Sequence, residues 1–185
     1  LRSEKLRVVL NAISLSRIPL GLVFLVLILR GALTEGLLVF LLGVSSDKVD
    51  GFLARRLRLE KIGLGRVLDP ISDRIFISLS FLALYLAELK VDISWWAVLL
   101  TVGQDLILAP VGAYATFKKH RVSVSALGKL ATSYQYVFVS FLLLLNLLGF
   151  SLNLLPLELM LVSLNLLSAG HHIYLWLLKG KNGAS

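Results

Sequence analysis

The chain has 185 residues, 57% hydrophobic and only 16% charged, with mean hydropathy +0.86; soluble domains carry about 25% charged residues, so lipid is the expected solvent for most of it. It contains no cysteine, which excludes disulfides, zinc–thiolate sites and a thiol nucleophile. The net charge of +8 could suggest nucleic acid, but the placement of the charges along the chain argues for a membrane instead.

Residues 1–12, LRSEKLRVVLNA, place charges at 2, 4, 5 and 7 and apolar residues at 6, 8, 9 and 10. A short amphipathic helix lying at the membrane surface is expected there. Six apolar spans follow, near 14–32, 34–57, 66–88, 93–117, 127–149 and 154–178. Each can cross a hydrocarbon core of about 30 Å, which takes roughly 20 helical residues. The expected fold is therefore all-α, one integral membrane domain over 1–185 with its six-helix bundle at 14–178.

Asn11, Ser14 and Arg17 recur every three residues at the entry to the first span. They read either as a cap with a snorkelling arginine or as neighbours of a site. On the second span Gly43, Ser46, Asp47, Asp50, Gly51 and Ala54 form a side of small and acidic residues, open to close approach. Asp69-Pro70 falls in the first turns of the third span, where proline is least disruptive. Glu88, Lys90 and Asp92 make a polar turn, and Trp95 and Trp96 suit an interfacial aromatic belt. The fourth span carries Gln104 and Asp105 near its middle, read as site-lining or as hydrogen-bonding across helices. A basic loop with Lys118, Lys119 and Arg121 leads to Lys129 and Thr132 on the fifth span. His171 and His172 point about 100° apart on a helix, a poor metal pair, and are read as interfacial.

With both termini on one side, that side collects 15 of the 19 basic residues, while Arg30 and Lys90 face the other. Lys48 and Arg74 lie beside the aspartates. The positive-inside rule then places both termini in the cytoplasm, where the basic loops would also attract anionic headgroups and phosphorylated molecules.

Four acids stand out in this oily background. Asp47 and Asp50 are three apart, Asp69 and Asp73 four apart, so each pair shares one face of a helix. The pairs are nearly symmetric about residue 60, inside the basic segment RRLRLEK. If that segment turns a helical hairpin, all four carboxylates meet at one cytoplasmic depth. Such a cluster cannot stay ionised in a low-dielectric site without cations. Two Mg²⁺ or Mn²⁺ ions would balance it, and these ions on carboxylates usually also bind a substrate phosphate. The hairpin reads as a two-metal site for phosphoryl chemistry.

The pattern Asp47-x₂-Asp50-Gly51-x₂-Ala54-Arg55-x₉-Gly65-x₃-Asp69-x₃-Asp73 resembles the signature of the CDP-alcohol phosphotransferase family. Asn11-x₂-Ser14-x₂-Arg17 and Gly128-Lys129-x₂-Thr132 also look like this family's bacterial phospholipid synthases, so the resemblance covers nearly the whole chain. It implies an integral enzyme of the inner (cytoplasmic) membrane, usually a homodimer, with a cleft facing the cytoplasm. Such enzymes move a phosphatidyl group from CDP-diacylglycerol to an alcohol and release CMP. By the same resemblance Asp47, Asp50 and Asp69 would hold metal, with Asp73 shared between metal binding and catalysis. Gly51, Ala54, Arg55 and Gly65 would join those acids around the CDP moiety.

The residue chemistry agrees with those roles. Arg55 offers a planar fork of donors for phosphate oxygens, and Gly51 and Ala54 leave room for a nucleotide against the helix. Asp73, last of the four, suits a general base for the attacking hydroxyl. Acceptor contacts are expected from Asp105, Arg121 and Lys129. Phosphatidylglycerophosphate and cardiolipin synthases of this family often carry Arg before the acid of the fourth span, where this chain has Gln104. Glycerol 3-phosphate is the expected acceptor, with phosphatidylglycerol or inositol phosphate as alternatives. A remoter alternative is an intramembrane prenyltransferase, which also sets aspartate pairs and Mg²⁺ on a diphosphate. A cation transporter would spread its acids over several depths or duplicated halves, unlike this cluster.

The charge bias makes a topological prediction. In a Lys61→Cys variant, a membrane-impermeant thiol reagent should label only from the cytoplasmic face; labelling confined to the external face overturns the arrangement.

Overall fold

The computed structural model describes residues 11–56, 64–117 and 126–182, with side chains described outside 47–55, 64–69, 108–117, 172 and 175–182. The described residues form six helices and no strand: α1 (Arg17–Leu29), α2 (Leu33–Arg56), α3 (Leu64–Leu86), α4 (Trp95–Phe117), α5 (Ala126–Leu148) and α6 (Leu155–Asn182). The interfacial helix expected at 1–12 and the turn expected about residue 60 fall largely or wholly outside the described residues.

Helix α1 continues a helical stretch at residues 11–15, with Ser16 in right-handed geometry between them. Together Asn11–Leu29 is one of two helices among the described residues long and apolar enough to cross a membrane; Ala126–Leu148 is the other. Shorter apolar stretches occupy Leu33–Ser46, Trp95–Ile107 and Leu155–His171. The expected spans agree with the helix positions to within a few residues. Pro70 lies seven positions into α3 and is exposed. That is past the first turn of the helix, so α3 goes without the backbone hydrogen bond that an N–H at this position would make.

Helices α1 and α5 stop in the same way. After α1, Gly31 at φ 74° donates to the Ile28 carbonyl at 2.9 Å, and Ala32 donates to that of Leu27 at 3.0 Å. This six-to-one, five-to-two closure needs a left-handed residue, and glycine meets it without strain. Gly149, φ 72°, closes α5 through the Asn146 and Leu145 carbonyls. Both stops lie at the end of the bundle remote from the aspartates.

The helices pack as two four-membered cells sharing the α3–α5 edge. One cell is α1, α2, α5 and α3; the other is α3, α4, α6 and α5. In the first, Phe24, Phe40 and Phe76 stack in series, with centroids 5.6 and 5.5 Å apart, and Tyr136 closes on Phe40 at 6.2 Å. That series joins α1, α2, α3 and α5 through the middle. Remote from the aspartates, the Asn146 side chain accepts from the Val91 N–H at 3.0 Å and donates to its carbonyl at 3.1 Å. Buried Glu158, in the first turn of α6, accepts the Ser94 N–H at 2.8 Å. The α3–α4 connection is thus clipped to α5 and α6 by side chains supplying partners that lipid cannot.

The Phe76 ring of α3 can lie against α2 because Gly43 has no side chain. A Cβ there would sit 2.4 Å from Cζ of the Phe76 ring, which the stack on Phe40 leaves little room to move. Gly43→Ala should cost about 1–3 kcal/mol as an overpacked site, read as a lowered Tm of the purified protein in detergent. An unchanged Tm would show that the ring can shift freely.

Candidate active site

Each aspartate pair lies within one helix, as its spacing predicts. Asp47 and Asp50 lie within α2, nine and six residues before its last residue at 56, and Asp69 and Asp73 in the first half of α3. Gly51, Ala54 and Arg55 occupy the last turns of α2, and Gly65 the first turn of α3. The side chains of Asp47, Asp50, Ala54, Arg55 and Asp69 lie outside the described residues, as does all of Arg121.

Asp73 is the acid whose surroundings are described. Its carboxylate forms an ion pair with Arg17 at the start of α1. Arg17 is 1% exposed, and its Nε donates to Ser46 Oγ of α2 at 3.3 Å. Ser46 in turn donates to the Gly43 carbonyl at 2.7 Å, so its hydroxyl hydrogen is committed and its lone pairs face the arginine. Three helices are thereby tied together beside one partly exposed carboxylate. A snorkelling arginine would keep its head in water, so burial decides between the two readings of Arg17. It is buried against Asp73 instead.

The next residue points elsewhere. Arg74 follows Asp73 by about 100° on the helix and pairs with Asp105 of α4, in the second cell. Asp105 is 1% exposed, while Arg74 keeps 29% of its surface open. Asp105 thus lies behind Arg74 and makes a hydrogen bond across helices, which is compatible with either of its two sequence readings. Below it runs a polar seam. Gln104 Nε2 donates to the Asn165 carbonyl at 2.7 Å, and Gln135 Nε2 to Asn165 Oδ1 at 3.0 Å. Lys129, on the first turn of α5, is exposed, and Thr132 is turned back onto the Gly128 carbonyl at 3.1 Å.

Gln135 and Asn165 were not singled out from sequence, and Arg74 was noted only as a neighbour of the acids. The available signal was their polarity at mid-span, since such residues face the bundle interior and find partners there. What spacing cannot supply is which partner, because that depends on the rotation of one helix against another.

The residue types fit a divalent cation. Asp73 offers a hard oxygen donor that is partly open, one helical turn from Asp69 in register, and Mg²⁺ or Mn²⁺ prefers such donors. Among the described residues no group of three or more candidate ligands is assembled; three of the four acids fall outside that search. The Arg17 pairing shows how one of the carboxylates is matched by protein charge.

The profile of the CDP-alcohol phosphatidyltransferase family matches residues 7–169. The chain belongs to that family. The match includes both aspartate pairs, Arg17, Arg74, Asp105 and Gln135. Among curated relatives, the CDP-diacylglycerol--glycerol-3-phosphate 3-phosphatidyltransferase of Aquifex aeolicus is 31% identical over 134 residues, covering 72% of each chain. The protein of that name from Bacillus subtilis is 28% identical over 152 residues, 74% of this chain and 77% of its own. A cardiolipin synthase (CMP-forming) from Rattus norvegicus is 32% identical over 109 residues, 58% of this chain and 35% of the rat protein. The chain thus spans about a third of that relative and about three quarters of the two bacterial ones.

The buried Arg17–Asp73 pair makes a stability prediction. Removing one partner of a buried pair leaves a charge uncompensated. Because Asp73 is partly open, Arg17→Met should cost about 2–4 kcal/mol in chelator-treated protein. Asp73→Asn in the same chain should restore part of the loss. Simple additivity in this double-mutant cycle, followed by denaturation in detergent, would show that the two groups are not coupled.

Proposed function

We propose that this phosphatidyltransferase moves the phosphatidyl group of CDP-diacylglycerol to glycerol 3-phosphate and releases CMP. The observation that supports the reading is Asp73, paired with Arg17, which is itself bonded to Ser46 of α2, one helical turn from Asp69 on α3. The names of the Aquifex and Bacillus relatives support the acceptor. The rat relative's name supports phosphatidylglycerol as the second reading.

In this proposal all six helices cross the membrane, with termini and cleft facing the cytoplasm of the inner membrane, and the protein works as a homodimer. The lengths support that: α2 to α6 have 23 to 28 residues each, enough for a core of about 30 Å. The polar residues that lower their apolarity pair with one another inside the two cells, as intramembrane polar groups must.

Asp47, Asp50, Asp69 and Asp73 would hold two Mg²⁺ or Mn²⁺ ions, which when bound supply charge neutralisation on the diphosphate and on departing CMP. Gly51 and Ala54 keep the face of α2 low so that the nucleotide can approach, with Gly65 doing the same at the start of α3. Arg55 holds phosphate oxygens with its fork. Asp73 accepts the proton of the acceptor hydroxyl, whose oxygen bonds to the phosphatidyl phosphorus while the bond to CMP breaks. Arg17 and Ser46 fix where that carboxylate stands. Lys129 and Arg121, with Asp105 acting through its neighbour, serve the acceptor side.

Activity should require Mg²⁺ or Mn²⁺ and vanish in excess chelator. Asp50→Asn and Asp73→Asn should then part company. General-base assistance is worth about 10² to 10⁴ in rate, so Asp73→Asn should bind CDP-diacylglycerol with Mn²⁺ near normally yet transfer almost nothing. Asp50→Asn should lose metal-dependent nucleotide binding as well. Equal loss of binding in both would make Asp73 chiefly a metal ligand and remove its assignment as base.

A further inference from the structure

Arg74 stands apart from every other described charge in the bundle. One Nη1–H is engaged by Asp105, and its Nε and Nη2 groups have no partner among the described residues. A guanidinium carries five N–H donors in a rigid plane, so most of this fork is unused. It is also partly open, whereas the Asp105 carboxylate behind it is closed off, with Oδ2 buried and without a hydrogen bond. Unused charged donors at this depth are costly in a protein surrounded by lipid. Asp105 prevents the fork from turning away, since leaving would strand a buried carboxylate.

The position of the fork indicates what it is for. Arg74 is adjacent in sequence to the proposed base, but Asp73 reaches α1 and α2 while Arg74 reaches α4. The residues proposed for the nucleotide lie on α2 and the start of α3, on the Asp73 side. An acceptor with its hydroxyl at Asp73 would lie against α3, the helix that also carries the partly open Arg74 fork.

We propose that Arg74 binds the phosphate of a phosphorylated acceptor and that Asp105 is the positioning residue that aims it. This rests on the phosphatidyltransferase reading above and adds to it the source of acceptor selectivity. The chain has Gln104 before its fourth-helix acid, and the Gln104 amide is spent on the Asn165 carbonyl of α6. The cation beside Asp105 comes from α3 instead. Arginine suits the role because its planar fork can grip two phosphate oxygens at once, which a lysine cannot.

The test is acceptor kinetics of purified protein with CDP-diacylglycerol and sn-glycerol 3-phosphate, with inositol phosphate, phosphatidylglycerol and glycerol as comparison acceptors. Losing a charge-assisted contact should raise the KM for glycerol 3-phosphate roughly 10- to 100-fold in Arg74→Gln. The KM for CDP-diacylglycerol should move by less than about threefold, and preference for the phosphorylated acceptor over glycerol should collapse. Asp105→Asn should shift the same KM by a smaller factor, and the double variant should be no worse than Arg74→Gln alone. Arg74→Lys, which keeps the charge, should recover part of the loss and carries the test if Arg74→Gln fails to fold. Thermal stabilisation by glycerol 3-phosphate should weaken in the same order, as a readout independent of turnover.

A wild type using glycerol 3-phosphate while the Arg74 variants keep its KM, or raise that for CDP-diacylglycerol instead, overturns this inference alone. A wild type preferring phosphatidylglycerol or glycerol overturns it together with the proposed acceptor. No CMP release with any acceptor overturns the transferase reading itself.

Discussion

Every charge carried into an apolar bundle has to be matched inside it, and α3 depends on that constraint most. It presents an acid and a base at consecutive positions, Asp73 and Arg74, which cannot pair with each other without leaving their neighbours unmatched. Each is compensated from a different helix, Arg17 of α1 and Asp105 of α4. The two pairs fix the rotation of α3, since turning the helix to improve one would break the other. The division into two cells follows the same line. The first contains the aspartate register and the phenylalanine stack, the second the polar seam of Gln104, Gln135 and Asn165.

That arrangement separates what holds the molecule together from what the site needs. Remote from the aspartates the connections are clipped by Asn146 and Glu158 and closed by Gly31 and Gly149. In the middle the stacked rings join four helices. Near the ends that carry the aspartates lie an exposed proline and partly open polar groups. Apolar stability far from the acids is what lets α2 and α3 carry them, because a cluster of carboxylates contributes nothing to folding until cations match it.

Much of this was legible from residue order, and the reason is that it is local. Spans follow from runs of apolar residues, helix ends from Gly31 and Gly149, and the face shared by Asp69 and Asp73 from a spacing of four. The placement of each aspartate pair on one helix could be read because a spacing of three or four is local. Arg17 remained open between two readings, since its outcome is set by α2 and α3, 29 and 56 residues away. Asp105 was singled out as an intramembrane acid, but its partner was not. Gln135 and Asn165 were passed over because a lone amide in an apolar run looks the same whether it packs, bonds or binds.

The Arg74–Asp105 pair joins a half-open guanidinium of α3 to a buried carboxylate of α4. An acid on the fourth span does not by itself say whether it touches a ligand. Burial behind a half-open guanidinium makes it a support, and the exposed member of the pair becomes the group that can meet an anion. The same logic applies with the signs reversed at Asp73, where the buried member is Arg17 and the open one is the carboxylate. Consecutive residues of α3 thus offer one anionic and one cationic face, each backed by a buried opposite charge. In the acceptor site proposed above, a phosphorylated alcohol would give up its proton to the first of these faces and have its phosphate held by the second.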